Sequence, residues 1–216
     1  LMSTASRRPG RRKDDELAGR RREEILSAAA ELFAARGYPD ADVQELADDL
    51  GVAKGTVYRY FPSKEALFLA AVDRGMARLR AAVAAGSAGV PDPLDRLAAA
   101  IRAYLEFFRD NPGQAELLIW ERAEFRDRKT PTYLEHRADR AGEWRVVFAD
   151  LARAGRVRKV PPDRLIDLIG DLVYGTMFTN HFTRRHEKLA EQARELTELV
   201  FYGILTPAER ERRGWE

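Results

Sequence analysis

Val43–Pro62 reads VQELADDLGVAKGTVYRYFP, and the spacing of its apolar residues decides how the chain around it folds. Val43, Leu46, Ala47 and Leu50 recur at the 3.6-residue period of one helix face. Gly51 follows, where the residue after a helix end adopts a left-handed backbone that glycine enters without a Cβ penalty. Val57 and Phe61, four residues apart, predict a second short helix with both side chains turned inward. Two short helices, a Gly turn and a small residue (Ala47) at the crossing make the helix-turn-helix pattern.

At roughly 100° per residue, an inward Val57 and Phe61 leave Gly55 and Arg59 pointing straight out. Thr56 and Tyr60 then flank one side of the second helix, and Lys54 and Tyr58 the other. That surface offers donors for phosphates and base edges, together with rings that can meet a thymine methyl. A glycine within a helix costs about 1 kcal/mol relative to alanine. At the outward position of Gly55 the cost makes sense where another surface must come close. The competing interpretation is a solvated helix in an ordinary bundle.

The remaining composition narrows the class. The chain has 216 residues, 45% hydrophobic and 33% charged, which is ordinary for a globular protein. Its net charge of +2 excludes a bulk polycation, so any nucleic-acid contact has to come from a local patch. There is no cysteine, hence no disulfide framework and no thiolate metal site; this fits a cytoplasmic protein. No apolar run approaches the length of a membrane span, and no apolar segment follows the basic N-terminus as a secretory signal requires.

Outward from the central stretch, helices are predicted over most of the chain. The first runs from near Glu16 to Arg36, with Ile25, Ala28, Ala29, Leu32 and Phe33 as its buried stripe, and Gly37 ends it before a loop at 38–41. Asp42 is the expected N-cap of the next helix, with Glu45 completing a capping-box arrangement. Ser63 caps a further helix with the stripe Leu67, Phe68, Ala71, Val72 and Met76. The Gly, Ser and Pro content of 85–93 marks a loop. Beyond it, helices are expected at 94–110, 114–126, 132–154, 162–185 and 188–205, with no strand and no repeat. The expected fold is all-α: a disordered basic arm (1–15), a three-helix helix-turn-helix DNA-binding domain (16–62), a connecting helix (63–85) and a larger helical-bundle ligand-binding and dimerisation domain (86–210). In the arm, Arg7, Arg8, Arg11, Arg12 and Lys13 are candidates for the DNA backbone or a minor groove.

The segments ILSAAAELFAARGY and DVQELADDLGVAKGTVYRYFPSKEALF resemble the TetR/AcrR-like family of bacterial transcriptional regulators. The resemblance covers the first 80 residues or so. It implies a homodimer that presents two helix-turn-helix heads to a palindromic operator. By matching position it implies that Gln44 reaches a base from the first helix of the motif. Lys54, Gly55, Thr56 and Tyr58 would meet base edges and nearby phosphates, and Tyr60 and Lys64 would contact phosphate. Arg59 joins this set from its outward angle. Two positions depart from the family pattern. Asp42 stands where many members have Thr, and a carboxylate would be repelled by phosphate. Ala53 stands where Ser or Thr often caps the recognition helix, a loss of about 1 kcal/mol.

In the family the helical body usually binds a small molecule that alters the spacing of the heads. The candidates here are Tyr104, Phe108, Trp120, Glu121, Phe148, Tyr174, Met177 and His181, with Tyr133, Trp144 and Phe178 in the same aromatic-rich helices. Such residues suit an apolar pocket between helices, although any single aromatic at helical spacing is more often plain core. Arg137, Arg140 and Arg145 read as the solvated face of a long helix. His136, His181 and His186 are the only histidines and form no metal-ligand pair, so neither metal nor cofactor is expected. The helices at 162–185 and 188–205 carry more apolar residues than one stripe needs and are the expected homodimer interface. An enzyme is not expected: there is no cysteine nucleophile, no Gly-rich phosphate loop and no paired-carboxylate signature. The expected function is a transcriptional repressor released from its operator by a largely apolar effector. The alternative is a helical architectural or protein-interaction protein without operator specificity.

Overall fold

In a computed structural model the chain is all-α. The structure describes residues 9–214, and side chains from Glu16 onward. Among the described residues there is no strand, and a single isolated antiparallel bridge joins Val157 to Leu205. No helix among them is long and apolar enough to cross a membrane. The chain divides into two compact units between Arg74 and Gly75. The division falls inside the helix that the sequence sets apart as a connector.

The first unit holds α1 (Pro9–Asp40), α2 (Val43–Asp49), α3 (Lys54–Tyr60) and the first half of α4 (Lys64–Ser87). Helix α1 begins at Pro9, earlier than the expected Glu16; proline's fixed φ suits a first helical turn. Residues 1–8 of the basic arm lie outside the described residues, as do the side chains of Arg11, Arg12 and Lys13. Gly37 interrupts α1 with a left-handed φ of 78°. One more helical turn follows where a loop was expected, and its Tyr38 ring lies 6.0 Å from Phe33 and 5.0 Å from Phe68. Ring packing therefore holds a turn that Pro39 alone would not suggest. Ile25, Leu26, Ala29 and Phe33 form the buried stripe of α1, while Ala28 and Leu32 are only half-buried. The stripe is rotated from the expected one because Leu26 joins the i, i+4 line of 25, 29 and 33. Val43, Leu46, Ala47, Val57, Phe61, Leu67 and Phe68 complete this core.

Turn chemistry fixes the angle between α2 and α3. The Asp42 carboxylate accepts from the Gln44 backbone N–H at 2.8 Å and caps α2. Glu45 does not close a capping box; its carboxylate accepts from Arg36 at 3.0 Å, since that guanidinium lies within reach. Gly51 takes φ 62°, the left-handed turn position. Ala53 already has the extended backbone of an N-cap, φ −70° and ψ 142°, with no side-chain cap bond. Ala53→Ser is therefore expected to stabilise the head by about 1 kcal/mol, read as a rise in the urea midpoint; an unchanged midpoint would show that α3 gains nothing from a cap.

The second unit holds the rest of α4, then α5 (Pro93–Asp110), α6 (Gly113–Glu124), α7 (Thr132–Arg153), α8 (Pro162–Phe182), α9 (Leu189–Ile204) and α10 (Pro207–Arg212), with one 3₁₀ turn at His186–Lys188. Helix α5 packs mainly on α9, and α7 on α8. Asp92 caps α5 by accepting from the backbone of Leu94 and Asp95. The start of α7 is capped from elsewhere: the buried Glu121 of α6 accepts from the Thr132 N–H at 2.9 Å and its hydroxyl at 2.7 Å. Helix α10 was not expected. Its signal is local, a Thr206 cap that accepts from the Glu209 N–H, followed by Pro207 in the first turn. Glu209 anchors it, 4% exposed and bonded to Arg156, Arg212 and Arg213.

Candidate functional site

In the head, α3 presents the face its sequence angles require. Val57 is fully buried and Phe61 nearly so, while Gly55, Tyr58 and Arg59 are exposed and Lys54, Thr56 and Tyr60 half-buried. A Cβ built on Gly55 would meet nothing within 4 Å, so the unit's own packing does not require glycine there. The Arg59 guanidinium lies 5.6 Å from the Tyr60 ring centre.

Three of the expected DNA-contact side chains are held inside the head. Gln44 donates to Asp48 at 2.7 Å. Lys54 Nζ donates to Asp42 at 3.1 Å, joining the cap of α2 to the first residue of α3. Lys64 Nζ donates to the Pro39 carbonyl at 2.9 Å and stands 5.0 Å over the Tyr38 ring. The Asp42 carboxyl titrates below its ordinary range because the Gln44 N–H and Lys54 both stabilise its charge. The position that departs from the family pattern thus carries a negative charge against the first residue of α3. Both Lys54 and Asp42 are substantially exposed, so the pair itself contributes little stability.

In the second unit, α4, α5, α7 and α8 line a solvent-open cavity of about 160 Å³. Its walls are mostly apolar, from Met76 and Leu79 on α4 through Leu97 and Ile101 on α5 to Ile169 and Val173 on α8. Tyr104 and Phe148, both expected ligand residues, line it. Tyr104 donates to the Tyr133 hydroxyl at 3.2 Å, and the Tyr133 ring lies 4.4 Å from that of Tyr174. Burial raises all three hydroxyl pKa values: Tyr104 well above its ordinary range, Tyr133 up to about 12, and Tyr174 in the same direction. These hydroxyls stay neutral and act as hydrogen-bond groups.

The other expected ligand residues lie outside the cavity lining. Phe108 is buried against Tyr104 and Phe107. Trp120 is half-buried on α6, and Met177 is buried core. Glu121 caps α7, and Tyr174 packs between Tyr133 and Phe178. His181 pairs with Glu116 at 2.8 Å, its ring 5.4 Å from that of His186.

The reading of Arg137, Arg140 and Arg145 as one solvated face needs correction. Arg145 is half-exposed and pairs with Asp163. Arg137 and Arg140 line the cavity, together with His136 and Arg80. Arg137 lies against Gly170 and donates to Asp171 at 2.7 Å and to the Asp167 backbone carbonyl at 2.9 Å. A signal was present in the sequence: Tyr133, Arg137, Arg140, Trp144 and Phe148 follow at steps of four, three, four and four, one helix face. Basic residues hid it, since arginine on a long helix usually points to water.

The family described as bacterial regulatory proteins, tetR family, matches residues 25–71, which spans α2, α3 and the flanking parts of α1 and α4. The chain is 36% identical over 128 residues to the HTH-type transcriptional activator FasR of Mycolicibacterium smegmatis, a match covering 56% of this chain and 58% of FasR. It is 30% identical over 172 residues to the HTH-type transcriptional regulator EthR of the same species, covering 76% of this chain and 75% of EthR. A solved structure described as the molecular basis for control of antibiotic production by bacterial hormones superposes with a TM-score of 0.72 at 29% identity, covering 87% of this chain and 98% of that one. A helix-turn-helix match in the head and a likeness to EthR that runs into the body agree: the chain belongs to the tetR family of bacterial regulatory proteins.

Proposed function

We propose that this protein is a DNA-binding transcriptional regulator: a homodimer that represses from a palindromic operator and releases it when a small, largely apolar molecule occupies the body. Helix α4 is what carries this reading. One helix places Leu67 and Phe68 in the core of the head and lines the cavity with Met76, Leu79 and Val83. A ligand that favours one position of α4 would bias the head through a continuous element, a shift between two populated states with no chemistry performed.

Two heads must meet successive major grooves about 34–36 Å apart, which requires a second copy. Leu168, Leu172 and Leu199 are 51%, 42% and 68% exposed and line one groove on α8 and α9. Such an apolar patch suits a partner helix pair. On DNA, Tyr58, Arg59 and Thr56 would read base edges and phosphates, with Lys54, Gln44, Tyr60 and Lys64 exchanging their internal partners for the nucleic acid.

The test is selection of bound sequences from random DNA, then titration at two salt concentrations. Enrichment of a two-fold site bound about 10³-fold or more over random DNA at physiological salt supports the regulator. Uniform, salt-labile binding would instead make this an architectural protein. Tyr58→Ala is expected to weaken operator binding about tenfold, the worth of one good base contact; unchanged affinity would mean that α3 is turned otherwise on DNA. FasR is named an activator, which favours activation as a second reading. A promoter fusion separates the two by whether deletion raises or lowers expression.

A further inference from the structure

The cavity between α4, α5, α7 and α8 has four basic residues in its lining, Arg80, Arg137, Arg140 and His136, and no acidic one. Arg137 is accounted for by Asp171 and Asp167. Among the described residues, no hydrogen bond or ion pair holds Arg80 or Arg140. Burial works against the charge of Arg140 and lowers its pKa; Glu143 on the same helix opposes that shift at a distance, and the neighbouring Arg80 adds repulsion. A fourth guanidinium, that of Arg96, lies 5.9 Å from the Trp144 ring, and its buried Nε has no hydrogen-bond partner. Trp144 itself lines the cavity. Arg80 is exposed to water, whereas Arg140 is half-buried. A positive charge beside an apolar wall without a counter-charge is unfavourable, so an entering anion chiefly relieves Arg140, with the exposed Arg80 at hand to share it. Guanidinium groups match carboxylates in particular, through paired N–H donors in a planar fork. The volume, about 160 Å³, would hold about one benzene ring if it were closed, but the cavity opens to solvent, so a longer chain can extend out of it.

We propose that the cavity binds a small apolar carboxylic acid, with its hydrocarbon part against Leu97, Ile101, Phe148 and Val173 and its carboxylate between Arg80 and Arg140. This rests on the body being the effector domain and specifies the chemistry of the effector. The neutral tyrosines at the inner wall add hydrogen-bond groups for a substituent on the hydrocarbon part. They do not supply the counter-charge.

Calorimetric titration of the full chain with octanoate, 1-octanol and octylamine tests it. Octanoate is expected to bind at least tenfold more tightly than either neutral or cationic analogue. Arg140→Gln and Arg80→Gln are each expected to weaken octanoate by about tenfold or more, the loss of a charge-assisted contact, and to leave 1-octanol unchanged. Arg145→Gln, on the same helix but outside the lining, should leave octanoate binding as it is. Equal binding of the three compounds, or none, overturns the proposal without relying on any variant; so does a well-folded Arg140→Gln protein with undiminished octanoate affinity. Adding each compound to the operator complex separates this from the broader reading. Release by 1-octanol but not by octanoate would keep the effector domain and overturn the carboxylate site. Octanoate bound through Arg80 and Arg140 with no effect on DNA affinity would keep the site and overturn the effector role.

Discussion

Gly55→Leu is expected to abolish operator recognition while leaving the head at least as stable as before. Nothing stands within 4 Å of a Cβ at this position, and Gly55 is exposed on α3. The folded state therefore accommodates the side chain without a clash. Leucine also favours a helix over glycine by roughly 0.8 kcal/mol, so the unfolding temperature should hold or rise. The face that gains the side chain is the one proposed to meet DNA, between Tyr58 and Arg59 and the start of the helix. A bulky group there holds the surfaces apart and loses several contacts together. The expected loss is more than about a hundredfold in operator affinity, near 2.8 kcal/mol, with Gly55→Ala intermediate. Stability and binding moving in opposite directions is the diagnostic result. Wild-type operator affinity in the leucine variant would refute the proposed docking face of α3.

The second large effect is expected in the body, at Glu209. Its carboxylate is buried and accepts from Arg212 at 2.6 Å, Arg213 at 2.9 Å and Arg156 at 3.0 Å. Arg156 and Arg213 also reach Asp92, the cap of α5. Helix α10 is thereby tied to the start of α5 and to the chain after α7. Glu209→Gln removes the buried central charge: Arg212 loses its carboxylate partner, while Arg156 and Arg213 keep Asp92. The expected cost is about 3 kcal/mol, or a fall of roughly 6–12 °C in Tm.

The same group sets an acid limb. The hydrogen bond from Arg212, with those from Arg156 and Arg213, outweighs the burial cost and holds the Glu209 carboxyl far below its ordinary value of 4.5. Because the folded pKa lies below the unfolded one, the stabilisation is complete above about pH 5 and declines as the pH falls through and below about 4.5. Asp92 is shifted in the same direction: the hydrogen bonds from Arg156 and from the backbone of Asp95 and Leu94 overcome its burial. Urea unfolding of the wild type should therefore weaken steadily on acidification, and Glu209→Gln should show both a lower midpoint at neutral pH and a shallower acid limb. A variant as stable as the wild type at neutral pH would show that the network adds nothing to the body.

The head was legible because its information is local. Val57 and Phe61 face inward, Gly51 takes the left-handed turn and Asp42 caps α2; each follows from residues within one or two helical turns. The all-α class and most helix positions were readable for the same reason, since apolar period, Pro, Gly and caps act over short stretches of chain. Even α10 had its Thr-Pro signal, although its weight comes from Glu209 meeting arginines from distant segments. The fates of polar side chains were another matter. Glu121 looked like a pocket carboxylate until the fold brought it to the start of α7. His181 looked like a pocket histidine until Glu116 stood beside it. Arg137 and Arg140 looked fully solvated until α8 and α4 came to stand beside that face of α7. A long polar side chain can satisfy itself with water or with any partner within several ångströms, so its sequence neighbours say little about its environment. Helix faces and turns were settled by the sequence itself through sterics and local hydrogen bonds; which charges are paired, which line the cavity and which cap a distant helix was decided only when the tertiary structure brought remote segments together.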